Sequence, residues 1–143
     1  MWPFGRPRRD PEAPETGPGR AAAVGRRGED LARRHLRRLG MKLLARNYRC
    51  PAGEIDLIAL DRSTRRATGA ETLAFVEVKT RSSDEHTSPA GAVDASKRRR
   101  LERLADHYLA THDADGLSVR FDIVSIVLRP GRKAEIEYLP DAF

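Results

Sequence analysis

Cysteine is almost absent: Cys50 stands alone. No disulfide can form within the chain, and no cysteine-based zinc centre can be built. That pattern suits a reducing compartment, so the cytoplasm is the expected location. Long apolar runs are also lacking. No stretch approaches the roughly 20 residues that span a bilayer, and the opening segment MWPFGRPRRDPEAPETGPGR holds no apolar core of a signal peptide. A membrane is therefore not an expected partner. Lysine is scarce as well. Lys42, Lys79, Lys97 and Lys133 are the four lysines among 27 basic residues, so arginine carries most of a formal net charge of +6. The planar arginine fork suits phosphate, which points to a polyanionic partner. There is no P-loop, no dinucleotide-binding glycine pattern and no Ser/His/Asp order.

What is present divides into a tail and a domain. Residues 1–19 are rich in Pro, Gly, Arg and Glu, and cannot bury enough surface to offset the entropy of ordering. They are expected to be a disordered tail, with Trp2 and Phe4 left unpacked. Residues 20–143 are expected to form one domain. From Arg20 to Leu39 the apolar period is helical, with Val24, Gly28, Leu31, Ala32, His35, Leu36 and Leu39 on one face and Gly40 as the stop. The period then becomes two. Strands are expected over Met41–Cys50, Glu54–Leu60 and Leu73–Arg81, with a turn at Pro51-Ala52-Gly53 and a hairpin loop over residues 61–71. A longer loop follows at residues 82–91. A second helix is expected over Val93–Ala110, then strands over Val119–Leu128 and Lys133–Leu139. The order helix, three strands, helix, two strands predicts an α/β domain with a mixed sheet: an antiparallel meander, then a helical crossover.

The chemistry concentrates at the ends of two strands. Side chains alternate along a strand, so Leu73, Phe75, Glu77, Lys79 and Arg81 share one face. Glu77 and Lys79 would lie about 7 Å apart at the end of an otherwise apolar strand. In EIDLIAL, Glu54, Asp56 and Ile58 share a face, against Ile55, Leu57 and Ala59. If the two strands pair, Asp56 approaches Glu77. Two adjacent carboxylates repel, and an oxygen-liganded divalent cation, Mg²⁺ or Mn²⁺, relieves that repulsion. The carbonyl of Val78 lies between them and would complete the shell. Such a metal would acidify a water, and Lys79 would orient that water or stabilise the developing anion. The structural alternative is a salt-bridge cluster of Asp56 or Glu77 with Lys79. Asp122, beside Arg120, reads as a structural ion pair. His86, His107 and His112 lack metal-ligand spacing.

Further basic residues follow in SKRRRLER. Lys97 continues the apolar stripe of its helix and is expected to face the site, where it would bind nucleic acid. Arg98, Arg99 and Arg103 point away and, with Arg81, are expected to contact nucleic-acid phosphates without reading sequence.

The segments GEIDLIAL and FVEVKTR, preceded by a Gly-Glu helix and followed by RFDIVSI and a terminal Ala-Phe, resemble the YraN-like uncharacterised protein family. That family resembles the PD-(D/E)xK nucleases, and among them the Holliday-junction resolvases. The resemblance implies a restriction-endonuclease-like core, metal ligation by Asp56 and Glu77, and Lys79 as the catalytic lysine. It also implies that Glu29 completes the acidic cluster. Glu29 would otherwise pair with Arg33, four residues on, and Glu54 is the competing carboxylate. Ile55 stands where the superfamily name has proline. The implied activity is metal-dependent phosphodiester hydrolysis in DNA, including branched or damaged DNA. A non-catalytic nucleic-acid-binding module with the same fold is the alternative. A homodimer is suggested by analogy with the resolvases.

Overall fold

The computed structural model describes residues 18–82 and 95–143. Most of the expected tail, the loop over residues 83–91, His86 and the Val93 start of the second helix lie outside the described residues. So do Trp2 and Phe4.

Helix α1 (Pro18–Arg38) is set by the 3.6-residue apolar period read above. Its end is a Schellman motif. Gly40 adopts φ 84°, Gly40 N–H donates to Arg37 O at 2.9 Å, and Met41 N–H donates to Leu36 O at 3.0 Å. The apolar contact that goes with this motif is Met41 against Leu36, both buried. Leu39, expected on the buried face, is instead 51% exposed. It sits where the chain leaves the helix, so the stripe ends one turn earlier, at Leu36.

Strands β1 (Lys42–Cys50) and β2 (Gly53–Asp61) form an antiparallel hairpin. The expected hairpin loop after β2 holds a single helical turn, α2 (Arg65–Thr68). Strand β3 (Thr72–Ser82) pairs antiparallel with β2. Helix α3 (Ala95–Thr111) carries the chain to β4 (Ser118–Leu128), which lies parallel to β3, and β5 (Glu135–Leu139) closes the other edge antiparallel. The sheet order is β1-β2-β3-β4-β5, mixed as predicted.

Two cores flank the sheet. On one face Ala32 and Leu36 of α1 pack on Leu57, Ala59, Ala74, Val76, Val124 and Ile126. On the other, Leu101, Leu104, Ala105 and Tyr108 of α3 pack on Ile55, Ile58, Leu73 and Phe75. Buried apolar area of this kind drives the two helices onto the sheet. Asp122 is fully buried beneath β5, and its charge is met by Arg120, with Nε at 2.8 Å. Tyr138 OH and the Asp141 backbone N–H donate to the same carboxylate, and Arg120 also reaches Asp61 at 3.0 Å. The expected structural ion pair is therefore one part of a larger network.

The face assignment along β2 needs one correction. Ile55 was expected to share a face with Leu57 and Ala59, but it packs with Ile58 on the α3 side. In β1, Ala45 and Tyr48 likewise pack on one side although they are three residues apart. Both strands therefore turn over at the same level, where Asn47 of β1 lies across from Asp56. Asn47 has φ 48°, the left-handed region that asparagine tolerates better than most residues.

Candidate active site

The β2–β3 ladder ends at Leu57↔Val76. The next cross-strand pair would be Asp56 and Glu77. β3 instead continues alongside β4 to Ser82↔Leu128, while β2 turns over and departs. A gap opens between the two strands. Asp56 spans it: its Oδ2 accepts the Val78 backbone N–H at 2.8 Å. In a strand the N–H and C=O of one residue point to the same edge. The Val78 carbonyl therefore faces the gap as well.

Asp56 is half-buried, and its carboxyl pKa is pushed up to about 6. Burial is the largest cause. The Val78 N–H opposes it, and the charges of Glu29, Glu77 and Glu54 add to the rise in that order. Glu29, on α1, thus acts more strongly on Asp56 than Glu54 does. Glu54 is exposed and lies 3.3 Å from Arg49 in an ion pair. Glu29 does not pair with Arg33, which lies 3.3 Å from Asp30, one helical turn away. Glu29 Oε2 instead accepts a long hydrogen bond, 3.5 Å, from Asn47 Nδ2. Asn47 was not legible as a site residue, because nothing in its neighbourhood marks a left-handed kink.

Glu77 lies on the α3 face of β3 and pairs with Lys97, not with Lys79. Lys97 Nζ donates to Oε1 at 2.9 Å and lies 2.8 Å from Oε2. The Oε2 contact is an ion pair without hydrogen-bond geometry, so this shielded oxygen accepts no hydrogen bond. The ring of Phe143 lies beneath the same ammonium, 5.4 Å from Nζ to centroid. Lys79 is half-buried and makes no hydrogen bond or ion pair among the described residues. Its pKa is lowered by burial first and then by Lys97 and Arg81, against the pull of Glu77. Asp56, Glu77, Lys79, Lys97 and Glu29 therefore converge on one end of the sheet, with the Val78 backbone and half-buried Arg81 beside them. Arg98, Arg99 and Arg103 are exposed on α3.

His107 and His112 have structural partners. Tyr48 OH lies 2.7 Å from His107 Nδ1, and His112 stacks on Tyr108 at 3.9 Å between centroids.

Among the described residues no three acidic, histidine or cysteine side chains form a ready metal cage. The donor set nonetheless fits a hard cation. It comprises two carboxylates, one with a shielded oxygen that accepts no hydrogen bond and meets only the Lys97 ammonium, and a backbone carbonyl facing the same gap.

The profile of a family described as Uncharacterised protein family UPF0102 matches residues 28–126. The chain belongs to that family. Its similarity to curated relatives runs over most of both chains. A UPF0102 protein from Nocardia farcinica is 46% identical over 125 residues, covering 87% of this chain and 92% of the relative. One from Syntrophotalea carbinolica is 46% identical over 85% of this chain and 91% of its own length. One from Solibacter usitatus is 50% identical over 83% and 84%. The UPF0102 match takes in Glu29, Asp56, Glu77, Lys79 and Lys97, the whole of the convergent cluster.

Proposed function

We propose that this UPF0102 protein is a metal-dependent nuclease that hydrolyses phosphodiester bonds in DNA, including branched DNA. The observation that carries the reading is the gap where the β2–β3 ladder stops. There Asp56 presents a carboxyl that burial strains first, with the charges of Glu29 and then Glu77 adding to it. A purely structural cluster would have a counter-charge for each acid. Here Lys97 serves Glu77 and no cation pairs with Asp56 among the described residues.

Asp56, Glu77 and the Val78 carbonyl would hold Mg²⁺ or Mn²⁺, with Glu29 at the outer edge. Bound there, the metal would supply an acidified water and positive charge against the phosphoryl oxygens. The chain's own contribution is positioning. Lys79 lies one strand pitch beyond Glu77 on the same face, so its ammonium can donate to the attacking water or to a non-bridging phosphate oxygen. Its lowered pKa eases proton exchange with that water. Water attack forms one P–O bond, and the bond to the leaving sugar oxygen breaks in line with it. Lys97 is the counter-charge of Glu77 that the metal would displace. Arg98, Arg99 and Arg103 contribute phosphate contacts along α3.

The test is a cleavage screen on linear, flapped and four-way DNA with and without Mn²⁺, using the natural protein and Glu77→Gln. Cleavage that requires Mn²⁺ and is lost in Glu77→Gln supports the reading. One observation favours a second reading, a non-catalytic nucleic-acid-binding module: the Lys97 ammonium already engages both oxygens of Glu77. Metal-independent DNA binding with no cleavage of any substrate is the outcome that selects it.

A further inference from the structure

We infer that a basic cleft on the α1 side of the sheet, away from α3, binds the sugar-phosphate backbone of nucleic acid several nucleotides from the reacting centre. The inference rests on the nuclease reading for its substrate class. The cleft has a volume of about 670 Å³. Its walls carry Arg20 and Arg27 from α1, and Arg129, Arg132 and Lys133 from the turn between β4 and β5. Among the described residues no acidic side chain lines it. Of the five cations, Arg129 is tied to a carboxylate, Glu135 at 2.8 Å.

Like charges drawn together from segments far apart in the chain repel one another, and the folded state bears that repulsion. The turn makes the gathering rigid. Gly131 adopts φ 68°, and Arg132 N–H donates to Arg129 O at 3.3 Å, which fits a Pro-Gly type II turn. Arg129 and Arg132 are therefore fixed at the two ends of that turn. Arginine dominates the set, and its fork matches phosphate oxygens.

Two elements join the cleft to the reacting centre, although Ser82 and Glu77, five residues apart, point to opposite faces of β3. Ser82, which lines it, is five residues beyond Glu77 on β3, roughly 17 Å at ~3.3 Å per residue. Helix α1 makes the same connection, from Arg20 in the cleft to Glu29 beside Asp56. That is roughly 13 Å at ~1.5 Å per residue. Successive phosphates of one DNA strand advance about 3.4 Å along the helix axis. The separation therefore corresponds to about four or five nucleotides of continuous backbone, which a free phosphate would not span.

The experiment compares the natural protein with the triple variant Arg27→Ala/Arg132→Ala/Lys133→Ala. All three residues are exposed and outside the reacting cluster. Anisotropy of a labelled duplex is read in EDTA across a salt series from about 50 to 200 mM. The triple variant should bind at least about tenfold more weakly and lower the slope of log affinity against log salt by about 2–3, near 0.9 per lost contact. Its melting temperature should match that of the natural protein. Unchanged affinity and slope in the triple variant overturn the cleft, and Mn²⁺-dependent cleavage by the natural protein then still supports the nuclease reading. Weakened binding by the triple variant, with no cleavage by the natural protein, keeps the cleft and removes the nuclease. Failure of the natural protein to bind duplex, with cleft-dependent binding of polyglutamate instead, overturns the inference in favour of an acidic protein partner.

Discussion

Gly28 of α1 lies so close to Thr80 of β3 that a Cβ added to the glycine would stand 1.8 Å from Thr80 Oγ1 and 2.8 Å from its Cβ. This is the closest approach of the helix to the sheet that the glycines reveal, and it is one residue from Glu29. The absence of a side chain at Gly28 thus brings a carboxylate on a helix to a carboxylate on a strand. Gly28→Ala should gain up to about 1 kcal/mol in helix propensity and lose more to overpacking, about 1–3 kcal/mol. The net expectation is a lower melting temperature. Thr80→Ala in the same chain should return part of the loss, since it removes Oγ1 and Cγ2, and a double-mutant cycle reads the coupling. A Gly28→Ala variant as stable as the natural protein would mean that the helix sits farther from the sheet.

Asp56 makes stability depend on pH in an unusual direction for a carboxylate. Its value in the folded protein, about 6, stands above the ordinary 3.8. The folded state therefore binds this proton more tightly than the unfolded chain does. The stabilisation from this group is full below the ordinary value and is lost as pH rises through about 6. Asp56→Asn keeps an oxygen to accept the Val78 N–H and removes the charge. It should be more stable than the natural protein near pH 8, on the order of 1–2 kcal/mol once partial solvation of the site is allowed for. The gap should close near pH 4. Mn²⁺ should raise the melting temperature of the natural protein and not that of Asp56→Asn. Equal melting curves at both pH values would remove the electrostatic strain from the site.

The strand LAFVEVKTR was legible because its apolar half and its charged end follow one period, and β3 has that register. The convergence of Asp56 with Glu77 was legible for the same reason. The kink at Asn47 was not, because alternation in β1 and β2 is a rule for unbroken strands, and a left-handed asparagine leaves no compositional mark. The partner of Glu77 was misassigned among its alternatives. Lys79 is two residues away on the same strand, whereas Lys97 arrives from α3 across a chain crossover; the helical period turned Lys97 toward the site but could not name Glu77 as its partner. The basic cleft joins α1 to the β4–β5 turn and was invisible for the same reason. Short α2 was hidden because a single helical turn has no periodicity to read.

Arg120 should be a stability determinant without any part in nucleic-acid binding. Asp122 is fully buried, and Arg120 is its counter-charge at 2.8 Å, held in turn by Asp61. The Arg120 guanidinium is held firmly charged, first by its hydrogen bond to Asp122. Arg120→Met would leave a buried carboxylate with two remaining donors, Tyr138 OH and the Asp141 N–H. The expected loss is about 3–5 kcal/mol, the range for removing one partner of a buried pair. Arg120→Met/Asp122→Leu should recover much of it, because the uncompensated charge is gone. Denaturant titration of the single and double variants measures both. A single variant within about 1 kcal/mol of the natural protein would show that the network is solvated.

Lys97 separates the metal site from the salt bridge most directly, because its ammonium contacts both oxygens of Glu77, the same oxygens a divalent cation would need. The Glu77 and Lys97 side chains are each 24% exposed, so the pair is shielded but not dry. Lys97→Met keeps the length of the side chain and its packing on Phe143 while removing the positive charge. Without metal, Glu77 then loses its nearest cation and Asp56 gains a more strongly charged neighbour. Melting temperature should fall, by the equivalent of about 1–2 kcal/mol for a pair in this partly screened setting. With Mn²⁺ the order changes. The competing ammonium is gone, so metal should bind more tightly, and the rise in melting temperature at fixed Mn²⁺ should exceed that of the natural protein. Adding Glu77→Gln to Lys97→Met should abolish that larger rise while restoring stability without metal. If the cluster were only a salt bridge, Lys97→Met would be destabilised equally with and without Mn²⁺. Calorimetric titration of Mn²⁺ into the three proteins distinguishes the two outcomes, because tighter binding in Lys97→Met requires a site that Glu77 helps to form.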